Sequence, residues 1–229
     1  MIKVNADFEL TRELKEMYID KIKESKKTYK KLYRMIKRTI DIIGALVGCL
    51  ILVPLTIFVW IANIVSNDNG PVFYVQKRIG KNGKPFKMYK FRSMVVNADK
   101  KLKRYLLDNP DANEEYMKYR KLKNDPRITK VGKILRDTSL DEFPQFINVL
   151  KGDMSLVGPR PYLFREKKVI NRAEQLITKV RPGLTGPWQV RGRNEISIEE
   201  RIDIDIEYIQ SENIKDDIKY ILKTIKSLF

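Results

Sequence analysis

Histidine is absent from the 229 residues of the chain, and cysteine occurs once, as Cys49. The lack of histidine excludes Ser-His-Asp triads, His-ligated zinc and His-based general acid–base chemistry. A single cysteine excludes an internal disulfide, so nothing in the composition indicates an oxidising compartment. Walker loops and GxGxxG motifs are also absent, which excludes those two ways of holding a nucleotide. Catalysis by this chain would therefore need carboxylates, lysine, arginine, hydroxyls or a metal held by oxygen ligands.

Positive charge is what the chain has in excess. It carries 46 Lys and Arg against 29 Asp and Glu, a formal net charge of +17. Such an excess favours a polyanionic partner, which can be nucleic acid, an anionic membrane surface or a phosphorylated substrate. Charge alone does not choose among these partners, but the uncharged segment described next favours the membrane.

An apolar segment without charged residues runs from Ile42 to Ala62. About 20 such residues are enough to cross a bilayer, and the segment begins too late and runs too long for a signal peptide. A single spanning helix is one interpretation. The other is a re-entrant helix that turns back at Pro54, because proline breaks helical hydrogen bonding and basic residues, which mark the cytoplasmic side, flank the segment on both sides.

The remaining patterns predict a mainly helical α+β chain with one small β-hairpin. Asn82-Gly83 is a hairpin turn signal between two β-prone runs, Val72–Ile79 and Phe86–Met94. Residues 97–123 are highly charged and are expected to be helical, with a break at 124–126. The resulting division is a basic helical leader at 1–36, a membrane helix at 37–66 and a further domain at 67–229.

Two stretches near the C-terminus have their own signatures. The Gly- and Pro-rich residues 181–193 predict a structured loop rather than a helix or strand. From Asp217 onward, apolar residues recur at helical spacing on one face, namely Ile218, Leu222, Ile225 and Phe229. This amphipathic helix suits an interfacial position on an anionic membrane, and it equally suits packing on the core of the domain.

The adjacent carboxylates Asp141 and Glu142 are the best chemical candidates in the chain. One interpretation is structural, because Ser139 followed by Glu142 matches a capping box at a helix start. The other is functional, because the pair could bind Mg²⁺ and one carboxylate could attack phosphorus. Such chemistry needs cationic groups around the phosphate oxygens. The candidates for this substrate-binding role are Lys90, Arg136 and Arg160.

Arg160 stands between Pro159 and Pro161, and two prolines restrict the backbone around it. An arginine held in this way can make two parallel hydrogen bonds to a phosphate or stack on a base. The alternative is a plain rigid turn with an exposed arginine.

Five sequence features follow one another in an order that resembles a known family. They are Lys37-Arg38-x-x-Asp41, the proline-broken apolar segment, KPFKMYKFRSM, TSLDEFPQFINVLKGDMSLVGPRP and VRPGLTGPWQVRGRN. Over roughly residues 35–225 the chain resembles the bacterial sugar transferases, the polyprenyl-phosphate phosphoglycosyl transferases. It is similar to the catalytic module of larger members, with the basic leader in place of their preceding membrane helices.

The resemblance implies a monotopic protein with a re-entrant membrane helix and a catalytic domain on the cytoplasmic face of the bacterial inner membrane. It further implies Mg²⁺ and a two-step mechanism in which Asp141 is the nucleophile and Glu142 its partner, both at the metal. Lys90, Arg136 and Arg160 would lie at the phosphate and nucleotide site. Family members often carry Ser-Pro at the break, where this chain has Val53-Pro54.

The implied reaction moves a sugar 1-phosphate from a UDP-sugar to undecaprenyl phosphate, with release of UMP, as the first membrane step of exopolysaccharide, capsule or O-antigen assembly. The partners expected are these two substrates and membrane lipids, without nucleic acid, and a homodimer stays open. Residues 181–195 are expected near the sugar, and WQVRGR favours glucose or galactose. The competing functions are a membrane-anchored polyanion-binding module without catalysis and a carboxylate-pair glycosidase.

Overall fold

A computed structural model describes residues 2–119, 122–171, 173–190 and 196–227 of the chain. Residues 1–40 and 41–229 form two compact units. The mainly helical composition with a small hairpin is confirmed. The helices are α1 (Ile2–Val65), α2 (Ala98–Asp108), α3 (Pro110–Tyr119), α4 (Lys130–Asp137), α5 (Gln145–Lys151), α6 (Lys167–Ile170), α7 (Glu174–Ile177), α8 (Ile198–Gln210) and α9 (Ile214–Lys226). The strands are β1 (Phe73–Ile79), β2 (Pro85–Phe91), β3 (Ser155–Val157) and β4 (Gly183–Thr185).

Helix α1 contains both the basic leader and the apolar segment, and it includes Pro54 within its helical run. Among the described residues, it is the one helix long and apolar enough to cross a membrane. Pro54 has no amide hydrogen, so the carbonyl of Leu50 lacks its usual helical donor. The re-entrant course of this helix stays a prediction.

The apolar part of α1 has one buried and one exposed face. Ala45, Leu52 and Val59 are buried at heptad spacing, which places them on one side of the helix. On the opposite side Leu50 and Phe58 are 74% and 67% exposed. A helix that leaves large apolar side chains uncovered over its length is what a membrane-embedded element requires.

Asp41 fastens the start of this apolar segment to the rest of its unit. The carboxylate is 3% exposed, and its Oδ1 accepts hydrogen bonds from the Ser155 hydroxyl at 2.9 Å and the Leu156 amide at 2.8 Å. Burying a carboxylate costs free energy, and these two hydrogen bonds offset part of that cost. Asp41 therefore links α1 to strand β3.

The predicted hairpin is confirmed. Strands β1 and β2 pair antiparallel, with Tyr74 opposite Lys90, and a single turn at Lys81–Gly83 joins them. Asn82 and Gly83 both have positive φ, at 58° and 73°, as the Asn-Gly signal requires. The second strand ends at Phe91 rather than at Met94. The buried guanidinium of the next residue, Arg92, bonds Asp68 and the main-chain carbonyls of Pro71 and Met94.

The helical stretch predicted over 97–123 contains a break. Asn109 separates α2 from α3 with an extended backbone, φ −135° and ψ 92°. Proline follows at position 110, and the residue before a proline is disfavoured in the helical region. Residues 120 and 121 lie outside the described part of the chain.

The prediction of a loop over 181–193 is wrong at Gly183–Thr185. These residues form β4, which pairs in parallel with β3, Ser155 opposite Gly183 and Val157 opposite Thr185. A Cβ on Gly183 would lie 2.1 Å from the Gly158 nitrogen, so only glycine permits this backbone approach. The local glycines and prolines signalled a turn, whereas the strand depends on a partner distant in sequence.

Helix α9 begins at Ile214, and its predicted apolar face is largely uncovered. Ile218, Leu222 and Ile225 are 45%, 60% and 48% exposed, which counts against packing of this face on the core. Phe229 lies outside the described residues. The uncovered face suits the interfacial alternative.

Replacement of Asp41 tests the link between α1 and β3. Asp41→Ala leaves two buried donors without an acceptor, and we expect the free energy of unfolding to fall by about 2–4 kcal/mol. Asp41→Asn keeps one acceptor oxygen and should lose clearly less, and Ser155→Ala, which removes one donor, should lose about 1 kcal/mol. Denaturant unfolding in detergent micelles measures all three, and equal losses for Ala and Asn at position 41 would contradict the acceptor role.

Candidate active site

Asp141 and Glu142 lie on a single 3-10 turn, Leu140–Glu142, between α4 and α5. Ser139 precedes the turn with φ 57°, in the left-handed region, and its side chain makes no cap hydrogen bond to the turn. The capping-box interpretation is therefore wrong. A non-glycine residue with positive φ is uncommon and often marks a functional site.

Lys90 of strand β2 brings a positive charge between the two carboxylates. Its Nζ donates to Glu142 Oε1 at 2.8 Å and lies 3.9 Å from Asp141 Oδ2. The Asp141 side chain is 14% exposed, against 43% for Glu142. The hairpin thus places the predicted cation directly against the predicted carboxylate pair.

Burial raises the pKa of the Asp141 carboxyl above its ordinary value. The charge of Lys90 lowers the pKa, that of Glu142 raises it, and that of Arg136 lowers it. The charged form of Asp141 is thus poorly solvated and is stabilised by neighbouring cations. A carboxylate in this state is suited to react with phosphorus or to accept a further cation.

The two predicted arginines are held by different partners. Arg136, at the end of α4, donates from Nε to the Ser93 hydroxyl at 2.8 Å. Arg160 donates from Nη1 to Glu166 Oε1 at 3.3 Å, and its guanidinium carbon lies 5.7 Å from the centre of the Tyr162 ring. The Arg160 side chain is 33% exposed and paired with Glu166, and its predicted role at the phosphate stays a prediction.

A cleft of about 330 Å³ collects most of these groups. Of the five predicted site residues, Lys90, Glu142 and Arg160 line it. Asp141 lies next to Lys90 but is not a lining residue, and neither is Arg136, whose charge acts on Asp141. Other polar or aromatic residues also line the cleft. Arg78, Gln145 and Arg201 were not predicted as site residues, whereas Trp188 and Gln189 belong to the stretch 181–195 that was expected near the sugar.

The parallel strands explain why distant residues meet in the cleft. Arg160 follows the end of β3 by three residues, and Trp188 follows the end of β4 by three. The carboxyl ends of paired parallel strands lie at the same edge, so both side chains emerge together. Arg201 of α8 stacks on Trp188, with its guanidinium carbon 4.8 Å from the ring centre. Trp188 falls in the stretch expected near the sugar, of which residues 191–195 lie outside the described residues.

Arg78 of β1 also supports the loop that contains Arg160 and Pro161. Its Nη1 donates to the Pro161 carbonyl at 2.9 Å, and Nη2 donates to Gln76 Oε1 at 2.6 Å. Burial, together with the charge of Arg160, lowers the pKa of Arg78 to about 10. No spacing pattern signals this role, because Arg78 is one of several basic residues in the hairpin.

An apolar groove of about 460 Å³ opens on the other side of Glu142. Its walls come from the apolar segment of α1, from α5 and from α9, all within residues 41–229. Glu142 and Leu184 line both this groove and the cationic cleft. The other lining residues include Gly44, Val47, Gly48, Ile51, Phe143, Phe146, Leu156, Ile221 and Ile225.

Comparison with known proteins gives the family. A model of the bacterial sugar transferases matches residues 32–229. The chain belongs to this family. The predicted family and its enzyme class are thereby confirmed, whereas the roles of individual residues stay predictions.

Three relatives illustrate the similarity. Undecaprenyl-phosphate galactose phosphotransferase of Salmonella typhimurium is 45% identical over 197 residues, 86% of this chain and 41% of that protein. Exopolysaccharide production protein ExoY of Rhizobium meliloti is 43% identical over 194 residues, 85% of each chain. UDP-glucose:undecaprenyl-phosphate glucose-1-phosphate transferase of Escherichia coli is 39% identical over 200 residues, 84% of this chain and 40% of that protein. This member of the family thus spans under half the length of the first and third relatives and most of the second.

Behind the cleft of this transferase lies a buried carboxylate, Asp205 of α8. It is fully buried, and its Oδ2 accepts a hydrogen bond from the Tyr162 hydroxyl at 3.2 Å. Burial raises the pKa of Asp205 from 3.8 to about 7, although its bond to Tyr162 and the charge of Arg160 oppose the rise.

Asp205→Asn should remove a pH dependence of stability. A carboxyl whose pKa is higher in the folded state binds protons that the unfolded chain has released, so the wild type loses stability as pH rises from about 4 to about 7. We expect the variant to gain up to about 4 kcal/mol relative to wild type across this window. Unfolding midpoints of both proteins at pH 4.5 and 7.5 measure the gain, and a difference that does not change with pH would contradict the raised pKa.

Proposed function

We propose that the chain transfers a sugar 1-phosphate from a UDP-sugar to undecaprenyl phosphate and releases UMP. The observation that carries the proposal is the position of Glu142, which lines a cationic cleft on one side and an apolar groove on the other. A water-soluble diphosphate suits the first and a polyprenyl chain suits the second. Two such substrates would meet at the Asp141-Glu142 pair.

The cleft suits the donor because of its charge. Arg78, Lys90, Arg160 and Arg201 line it, and cations at fixed positions offset the charge that develops on phosphate oxygens during transfer. The names of two relatives specify galactose and glucose, which supports a hexose as the transferred sugar.

The carboxylate pair fits Mg²⁺. Within the part of the chain that the structure describes, no three Asp, Glu or Cys residues cluster as a protein-only metal site. Mg²⁺ usually takes one or two carboxylates together with substrate phosphate oxygens, which Asp141, Glu142 and the diphosphate would provide. The poorly solvated charge of Asp141 is also a reason for a cation here. When bound, the ion would neutralise charge on the diphosphate as a Lewis acid.

Asp141 would act as the nucleophile. A carboxylate oxygen attacks the sugar-bearing phosphorus, and the bond from this phosphorus to the bridging oxygen breaks as UMP leaves with the electron pair. An oxygen of undecaprenyl phosphate then attacks the same phosphorus, and the carboxylate is released. The product is a lipid diphosphosugar. One diphosphate replaces another, so the net driving force is small and the reaction should be reversible.

The lipid acceptor would bind in the apolar groove, and the groove would face the membrane. Phe143 and Phe146 form an apolar wall beside Glu142, where the first units of a long prenyl chain can be buried. The uncovered faces of α1 and α9 border the same groove. This arrangement supports a site held at the headgroup layer of the cytoplasmic membrane, where anionic lipids attract the basic surface.

UMP release tests the reaction. Detergent-solubilised protein with Mg²⁺, undecaprenyl phosphate and a panel of UDP-sugars should release UMP from one or a few donors. Asp141→Asn should lower the rate at least 100-fold because the amide is not a nucleophile. Asp137→Asn, an exposed acid at the end of α4, is the matched control and should keep the wild-type rate.

Labelled sugar should also remain on the wild-type protein when the acceptor lipid is omitted, and not on Asp141→Asn. Equal UMP release by wild type and Asp141→Asn would refute the assigned nucleophile. If folded protein released no UMP and made no lipid-linked sugar in cells, the alternative of a membrane-anchored polyanion-binding module would replace the transferase.

A second test concerns the proposed cytoplasmic location of both ends of the membrane helix. Cys49→Ala makes the chain free of cysteine, so one cysteine introduced in the leader reports its side of the membrane. The leader should resist an impermeant thiol reagent in intact cells, and Pro54→Ala should make it reactive by favouring a straight, spanning helix. Labelling that is unchanged by Pro54→Ala would contradict the role of the proline.

A further inference from the structure

Two buried tyrosine–aspartate pairs occur in the C-terminal part of the chain. Tyr162 donates to Asp205 at 3.2 Å, and Tyr208 donates to Asp217 at 2.6 Å. All four residues are at most 5% exposed. Burying a carboxylate costs free energy even when it is hydrogen-bonded, so each pair needs an explanation, and the transfer steps above use neither.

The first pair stands directly behind Arg160. The guanidinium of Arg160 lies over the Tyr162 ring, 5.7 Å from its centre, and the hydroxyl at the far end of that ring is bonded to Asp205. The direction of the ring therefore depends on Asp205, and the position of the guanidinium depends on the ring. Tyr162 also follows Pro161, so its main chain belongs to the same rigid loop.

Asp205 also acts on Trp188, which lies on the opposite wall of the cleft. Its Oδ1 and the indole nitrogen of Trp188 are both buried without a hydrogen bond, and the indole N–H of Trp188 is among the groups that lower the pKa of the Asp205 carboxyl. Arg201, one helical turn before Asp205 on α8, stacks on the outer side of Trp188. One face of α8 thus supports both Arg160 and Trp188.

The loop has a second, independent support in Arg78, which bonds the Pro161 carbonyl at 2.9 Å. This bond fixes the main chain of the loop, whereas the Tyr162–Asp205 bond fixes the ring on which the guanidinium rests. Losing the second bond should leave the loop folded and let the Arg160 side chain move. Small displacements of a charge-stabilising group reduce transfer rates strongly.

We propose that Asp205 is a positioning residue of the donor site, which acts through Tyr162 and Trp188 to hold Arg160 and the facing wall of the cleft without touching the substrate. The inference rests on the proposed transferase function. It assigns to α8 the role of a rigid support for the nucleotide-sugar side of the site and gives it no role on the lipid side.

Tyr162→Phe is the decisive variant because it keeps the ring and removes only the hydroxyl. We expect kcat/KM for the UDP-sugar to fall about tenfold, while KM for undecaprenyl phosphate stays within twofold of wild type. Asp205→Leu should reproduce this loss. Asp205→Asn should retain activity within about threefold, because its amide oxygen still accepts from Tyr162.

Tyr208→Phe is the matched control. It removes the same kind of buried hydrogen bond, but neither Tyr208 nor Asp217 lines the cleft or the groove. We expect its stability to fall about as much as that of Tyr162→Phe, with kcat/KM unchanged. This comparison separates positioning from a general loss of stability.

The coupling to Arg160 gives the strictest test. In an Arg160→Ala background, Tyr162→Phe should have no further effect on kcat/KM, because the group on which it acts is gone. A full tenfold loss in that background, or equal losses for Tyr162→Phe and Tyr208→Phe, would overturn the proposal. UMP release by the unaltered chain is measured first and decides the transferase function by itself, so the two ideas fail separately.

Discussion

The close approach of the apolar segment of α1 to α5 and β3 determines where the groove beside the carboxylate turn lies. Gly48 meets the ring of Phe146 so closely that a Cβ on Gly48 would stand 2.4 Å from it, and Gly44 meets Leu156 in the same way. Phe146 is only four residues from Glu142, and Leu156 belongs to β3. The absence of two side chains on one helix thus brings an apolar segment against the carboxylate turn and forms one wall of the groove.

On the cleft side of the carboxylate turn, positively charged side chains outnumber negatively charged ones. Four cations line the cleft, namely Arg78, Lys90, Arg160 and Arg201, with one carboxylate, Glu142. Asp141 lies beside Lys90, and Glu166 lies beside Arg160. A ligand that brought negative charge would relieve this imbalance, whereas a neutral one would not. The excess of positive charge in the whole chain therefore has a local counterpart at the site, beyond any attraction to anionic lipid.

The short parallel sheet has an importance out of proportion to its size. Two three-residue strands bury little area, but their carboxyl ends deliver Arg160 and Trp188 to one place. The Gly158 amide donates to the Thr185 carbonyl at 2.9 Å, and glycine at 158 and 183 lets the two chains approach this closely. Helix α8 then supports the residues that follow the two strands, Arg160 through Asp205 and Trp188 through Arg201. A rigid cleft thus arises from segments that are individually too short to be stable.

The sequence by itself determined the features that depend on near neighbours. Asn82-Gly83 was enough for the hairpin, because only a few residue types adopt the positive φ that its turn needs. The family, the apolar segment and the carboxylate pair were also visible as contiguous runs. Only the tertiary structure decided that Ser139 does not cap the turn, that Gly183–Thr185 is a strand, and that Asp205 stands behind the cleft. These features depend on pairings across tens of residues, such as Tyr162 with Asp205 and Lys90 with Glu142, and no local pattern encodes which distant partner a side chain will meet.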